Sequence, residues 1–347
     1  MIHNVYSANS LYSITFSIAF VVSIILTPVF RKLASSLNIM DQPHSAIKTH
    51  KIATPYLGGM SIWLGWIISL FVIRFFTHFP SGTLRSLRGI LIGSAVVFVL
   101  GLIDDIVPKG LSFKTKFLFQ MLAAMVLIFY DIRLYFISPY IIALIMSLIW
   151  IVGVINAFNI IDIMDGLASG IAFVSCLAFL FIALPTEQIY VNFCAAALAG
   201  GCLGFIPYNL SKKRKIFMGD AGSLAIGFIL AAASLGTSYT KINQIGLLAP
   251  LLILAIPIYD TLLVMYFRIK KGKSPFLGSK DHFALRLEKT GYSRKQILFI
   301  TYLACAFLSL TAYLLTRFDT LGALILFVIV FIAAIFISSK LGKIHVD

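Results

Sequence analysis

The chain is expected to fold as an all-α polytopic membrane protein of about eleven transmembrane helices, with its N-terminus outside and its C-terminus cytoplasmic. Three observations lead there. Of 347 residues, 60% are hydrophobic and 12% charged, a composition outside the range of soluble domains. Apolar runs recur along the whole length, most of them near the ~20 residues that a helix needs to cross a bilayer. Finally, 22 of the 28 Lys and Arg residues fall in alternate connecting segments, which the positive-inside rule assigns to the cytoplasm. The chain, 1–347, therefore reads as one integral membrane domain with motif-bearing cytoplasmic loops near 30–56, 104–116, 157–165, 208–221 and 268–296.

The first span, 11–29, follows a start, MIHNVYSANS, that lacks the positive n-region of a cleavable signal. Spans at 57–76 and 89–103 come next, the third running into GLIDDI, and a short fourth covers 117–130. The fifth, 139–156, leads into NAFNIIDIMDG. Spans at 166–184 and 190–207 follow, the latter ending at Pro207, a residue that ends or kinks helices. The eighth, 222–238, begins at FMGDAGS. The ninth, 245–267, contains Pro250 and Pro257, and spans at 297–316 and 321–339 close the chain. Cys176, Cys194, Cys202 and Cys305 all fall in apolar runs and read as small buried residues, with no disulfide framework or CxxC metal site. The net charge of +15 does not call for nucleic acid, because its distribution follows membrane topology and anionic headgroups.

Five acids stand out in a chain with only 13 Asp and Glu: Asp104, Asp105, Asp162, Asp165 and Asp220. All fall at span ends on the same expected face, where gathering carboxylates is costly. Taken singly, Asp220 can be a helix cap, and Asp104 and Asp105 the start of a solvated loop. Taken together, they suit a hard divalent cation, Mg²⁺ or Mn²⁺, that binds through a few carboxylates and phosphate oxygens. Asn159, one turn before Asp162, offers an amide oxygen. Lys109, Lys114, Lys116 and the 212–215 run offer counter-charge for a diphosphate. The chemistry this predicts is metal-assisted phosphoryl transfer at the cytosolic membrane surface.

From about residue 40 to 290 the sequence resembles the bacterial polyprenyl-phosphate N-acetylhexosamine-1-phosphate transferase superfamily, which includes the phospho-MurNAc-pentapeptide translocase. The motifs run in order: Asp41-Gln-Pro with Lys48 and His50, Leu57-Gly-Gly, Gly101-Leu-Ile-Asp-Asp105, Lys116 and Gln120, and Asn156 through Leu167. Phe217-Met-Gly-Asp-Ala-Gly-Ser223, Pro257-Ile-Tyr-Asp-Thr261 and His282 with Arg286 complete the set. The resemblance implies transfer of a sugar-1-phosphate from a UDP-sugar to a polyprenyl phosphate, with release of UMP. It also implies roles. Asp220 and Asn159 hold Mg²⁺, and Phe217 stacks on uracil beside Asn209 and Asp165. Lys116, His282 and Arg286 meet the nucleotide sugar, and Asp104 and Asp105 face the lipid phosphate. The Pro257–Thr261 stretch resembles the GlcNAc-type branch, so GlcNAc-1-phosphate is the expected group, ahead of another amino sugar or phospho-MurNAc-pentapeptide. A homodimer is among the partners considered.

Two departures stand out. Asp-Gly-x-Asp-Gly has become Asp162-Ile-Met-Asp165-Gly166, and His-x-His-His-Arg has become His282-Phe-Ala-Leu-Arg286. Read alone, His282 can be a surface histidine on a short amphipathic stretch, a reading that is stronger for His50, and Phe217 is more often packing than a base platform. The acceptor, a phosphate monoester with a second pKa near ~6, is already mostly a dianion at cytosolic pH. A general base then adds little, and direct in-line attack is favoured over an aspartyl-phosphate route. An ion-coupled transporter is a distant alternative, since acids at helix ends and the lack of a repeat do not fit one. A CDP-alcohol phosphotransferase lacks its signature here, and a scaffold leaves the acids unexplained.

Overall fold

The computed structural model describes residues 8–42, 53–107, 110–184, 189–236, 242–275 and 279–344. Lys48, His50 and Lys109 lie outside them. Each expected apolar segment is helical: α1 (Ala8–Ser36), α2 (Gly58–Ile73), α3 (Ser81–Ile106), α4 (Phe113–Phe129), α5 (Tyr140–Ile161), α6 (Leu167–Ala183), α7 (Ile189–Asn209) and α8 (Gly219–Leu235), with the C-terminal segments described below. Among the described residues the one sheet is a two-residue antiparallel pair, β1 (Met40–Asp41) with β2 (Thr54–Pro55).

Among the described residues six helices are long and apolar enough to cross a membrane, or seven if one bent pair counts as a single span. That pair corrects the expectation of one continuous helix over 245–267. The segment is a 3-10 turn (Ile245–Leu248), α9 (Ala249–Ile253) and α10 (Ala255–Lys270), with a 73° bend. Pro257 explains the position: its ring opposes the carbonyl four residues back, Ile253, the last residue of α9. The amphipathic stretch after 281 forms α11 (Phe283–Lys289), followed by α12 (Arg294–Leu315) and α13 (Thr320–Gly342). Helix α12 starts three residues earlier than its apolar run because Ser293 and Gln296 form a capping box. Helix α4 likewise starts early, where Ser112 caps the backbone of Thr115, and this brings Lys116 into its first turn.

Helices α2, α6 and α8 are shorter, and they lie towards the centre. Every residue of α8 is buried except Asp220. In lipid no hydrophobic force draws helices together, so close packing of small residues does the work. A Cβ on Gly59 of α2 would strike the backbone of Gly222, so no larger residue allows these two helices to meet. At the opposite extreme, α13 buries only Ala323 and Leu341. The central position of α8 matters for function. Its N-terminus is where α2, α3, α4 and α5 converge.

Candidate active site

Helix α3 ends against the start of α8. Asp105 accepts the backbone N–H of Asp220 at 2.8 Å and of Ala221 at 3.1 Å, occupying both of its carboxylate oxygens. An anion at a helix N-terminus satisfies otherwise orphaned donors and the positive end of the dipole. Gly219 adopts φ +75° there, and a side chain at that position would collide with Asp105.

One residue earlier, Asp104 accepts the backbone N–H of Leu111, which turns the connecting loop back. Helix α4 then presents Lys116, whose ammonium lies 2.6 Å from Asp104 Oδ2 and 2.6 Å from Asp220 Oδ2. One lysine thus bridges carboxylates from α3 and α8, elements far apart in the chain. On the α3–α4 side of this bridge, large apolar residues including Ile103, Ile106, Phe113 and Phe117 are exposed.

On the other side of Asp220 opens a cavity of about 240 Å³ bounded by Asn159, Asp162, Asp165, Asn209, Phe217 and Asp220. Phe217 is held at its backbone: its N–H donates to Pro55 at 2.8 Å, and its carbonyl accepts from Gly58 at 2.9 Å. Tyr56 lies 6.2 Å from the Phe217 ring and bonds Asp41; burial, and then that bond, raise its phenol above the ordinary value and keep it a neutral donor. Lys215 pairs with Asp165 at 2.7 Å and also stands 4.9 Å from the Phe217 ring centre. Asn209 is a brace. Its oxygen accepts from Gly166 N at 2.6 Å and its amide donates to the Ile216 carbonyl at 2.9 Å. Among the described residues Asp162 has no cation of its own, and burial, followed by the charges of Asp220 and Asp165, pushes its pKa up to about 8.

Among the described residues no group of three His, Cys, Asp or Glu side chains is set to hold a metal ion. The donors nevertheless fit Mg²⁺, which commonly takes one or two carboxylates and leaves other positions to water and phosphate. Asn159 donates its amide N–H to Ser223 Oγ at 3.0 Å and also donates to the Asp220 carboxylate, so an amide and a carboxylate stand together at the cavity edge. Asp104 and Asp220 share Lys116, and Asp105 and Asp162 add to the negative charge felt near Asp220, an excess that a divalent cation would offset.

His282 and Arg286 do not line this cavity. His282 Nδ1 lies 2.7 Å from Asp260 Oδ2, and the N–H of Phe283 donates to the other oxygen at 2.9 Å. Arg286 donates to Asp281 at 2.9 Å and to the Leu341 carbonyl at 3.0 Å, and also bonds Ile344, closing the end of α13. The same segment does reach the cavity, through Leu285, with Ser279 and Arg294 beside it. Sequence reasoning missed Tyr56, Ser279, Arg294 and Asp260 as site or support residues. Asp260 was visible only as part of Pro257–Thr261. Arg294 carries no local signal, since its place depends on α11 and α12 folding back over the cavity.

The pattern of glycosyl transferase family 4 matches residues 87–238, the stretch that carries Asp104 through Asp220. The chain is 30% identical over 311 residues to a probable undecaprenyl-phosphate N-acetylglucosaminyl 1-phosphate transferase of Bacillus subtilis, covering 86% of this chain and 84% of that one. It is 31% identical over 317 residues to the decaprenyl-phosphate N-acetylglucosaminephosphotransferase of Mycobacterium tuberculosis, covering 82% and 78%. With the undecaprenyl-phosphate alpha-N-acetylglucosaminyl 1-phosphate transferase of Escherichia coli it shares 29% over 295 residues, covering 80% and 77%. A multi-pass helical chain, with acids from separate loops joined at one helix start and relatives matched over most of their length, belongs to glycosyl transferase family 4, among the polyprenyl-phosphate N-acetylhexosamine-1-phosphate transferases.

Proposed function

We propose that the chain transfers N-acetylglucosamine-1-phosphate from UDP-GlcNAc to undecaprenyl phosphate, releasing UMP. The observation that carries this reading is the position of Asp220. It bounds the cavity, and it also meets Lys116 on the side of α3 and α4 where apolar residues are exposed. A water-soluble nucleotide sugar enters the cavity, and a lipid phosphate comes from the bilayer. Asp220 stands between the two.

In this mechanism Phe217 supports the uracil ring, held in place by its bonds to Pro55 and Gly58. An acceptor phosphate oxygen attacks the β-phosphorus, the bond from that phosphorus to the bridging oxygen breaks, and UMP leaves with the electron pair. Lys116 is within reach of both carboxylates and turns to phosphate as the charges are brought together, which offsets their repulsion. A Mg²⁺ held by Asp220 and Asn159 would supply charge stabilisation on the diphosphate. Asp105 acts as a joint, with both oxygens committed to backbone N–H groups, and Asp104 is likewise engaged by Leu111 and Lys116. A carboxylate tied in this way is a poor nucleophile, which favours direct transfer over an aspartyl-phosphate intermediate. The distribution of Lys and Arg supports eleven crossings, an external N-terminus and a site on the cytoplasmic face of the bacterial inner membrane.

The test is UMP release and lipid product from purified protein, given undecaprenyl phosphate, Mg²⁺ or Mn²⁺ and a panel of UDP-sugars. UDP-GlcNAc should lead the panel, and chelation should stop the reaction until metal is restored. The panel includes other amino sugars because Leu285, in the departed His282–Arg286 segment, lines the cavity. A folded preparation that releases no UMP with any of them would overturn the reading.

A further inference from the structure

We propose that a groove between α1 and α7, away from the active site, binds the phosphate headgroup of an anionic phospholipid. The groove encloses about 440 Å³. Ile24 of α1 and Pro207 and Tyr208 of α7 form its apolar wall, and the loop Ser211–Arg214 forms its rim. The loop is folded into place: the N–H of Arg214 donates to Ser211 Oγ at 3.0 Å, and Arg31 of α1 reaches across to the carbonyl of Lys215 at 3.2 Å and of Lys213 at 3.5 Å. Arg31 therefore adds a fourth cation to Lys212, Lys213 and Arg214.

These cations also differ in charge balance from the neighbouring Lys215 and Lys116. Lys215, the next residue, is paired with Asp165, and Lys116 with two carboxylates. Lys212, Lys213 and Arg214 are exposed, and among the described residues no acidic side chain pairs with them. Topology alone asks only that cations lie on this side; it does not ask for a folded rim around a groove. Beside Ile24, Val21, Ile25 and Val29 recur every four residues on α1 and are 48%, 58% and 51% exposed, an apolar stripe leading away from the cations. A negative headgroup at the rim with an acyl chain along this stripe satisfies both features. A free inorganic anion would leave the stripe uncovered. Juxtamembrane cations attract anionic lipid in this way.

Native mass spectrometry of the full-length protein, titrated with phosphatidylglycerol and separately with phosphatidylcholine, tests the site. The wild type should retain one phosphatidylglycerol with a preference of roughly tenfold or more over phosphatidylcholine. Lys212→Gln/Lys213→Gln/Arg214→Gln should abolish that preference. Ile24→Trp, which fills the groove and keeps every cation, should lose the same single adduct; it decides the matter if the triple variant fails to fold. Undecaprenyl phosphate added as competitor should leave the adduct in place. Equal retention of both phospholipids by the wild type, an unchanged adduct in the variants, or displacement by undecaprenyl phosphate would each overturn the proposal. None of these readouts depends on the proposed transfer reaction.

Discussion

Two clusters in this protein use the same residue types in opposite ways. In the first, Asp104, Lys116 and Asp220 are 11%, 23% and 26% exposed, and Lys116 faces more carboxylates than it can neutralise. In the second, Asp260, His282, Asp281 and Arg286 are 0% to 5% exposed, and each charged group has a partner in an opposing side chain or a backbone group. Both join elements far apart in sequence. The first is open and unbalanced, which leaves room for a cation and phosphates. The second is closed and balanced, which suits holding α10, α11 and the end of α13 together. Charge balance and access separate a binding centre from a structural clamp more clearly than residue type does.

Three changes break or sharpen this contrast. The largest effect belongs to Asp220→Asn, which keeps the size of the side chain and removes its charge. Transfer per folded molecule should fall about 10²–10³-fold, the scale for losing one preorganised electrostatic contact, while melting temperature stays within a few degrees. Activity within tenfold of wild type would remove Asp220 from the centre. Next is Arg286→Ala, which leaves Asp281 with Lys271 as its remaining cation and takes the donor from the carbonyls that end α13. Orphaning a buried charge costs about 3–5 kcal/mol, and with Lys271 retained the loss should be a fraction of that, seen as a lower folded yield and melting temperature. The KM for the nucleotide sugar in the surviving folded fraction should change little. A large KM rise at unchanged stability would make Arg286 a substrate contact.

The smallest effect concerns Asp162. Its carboxyl titrates near 8 in the folded protein and near ~3.9 when unfolded. Between these values the folded state binds more protons than the unfolded state, so stability falls as pH rises through this window and levels off above it. Asp162→Asn does not titrate. Its melting temperature relative to wild type should therefore climb as pH rises from 5 to 8. A gap that stays constant with pH would mean that Asp162 is already ionised or charge-compensated.

The helical segments were legible because apolar runs are a local property, and so was the membership of the first cluster. Asp104, Asp105, Asp220 and Asn159 could be grouped from their shared position at span ends. The second cluster was not legible. His282 and Arg286 sit in a motif that pointed to the nucleotide sugar, yet their polar atoms meet Asp260, Asp281 and the carbonyls that end α13. Nothing near residue 282 announces a partner at 260 or at 341. The same distance hides the split between Asp104 and Asp105, neighbours on one helix turn. One faces Lys116 and the other caps α8.

The amino-acid order by itself determined that this is a membrane-embedded helical protein and which acids gather near one surface, because hydropathy and spacing act over a few turns. Only the tertiary structure decided which of those acids remain open to a ligand. That choice turns on the approach of helix ends distant in the chain, where backbone N–H groups and opposing charges either occupy a carboxylate or leave it free.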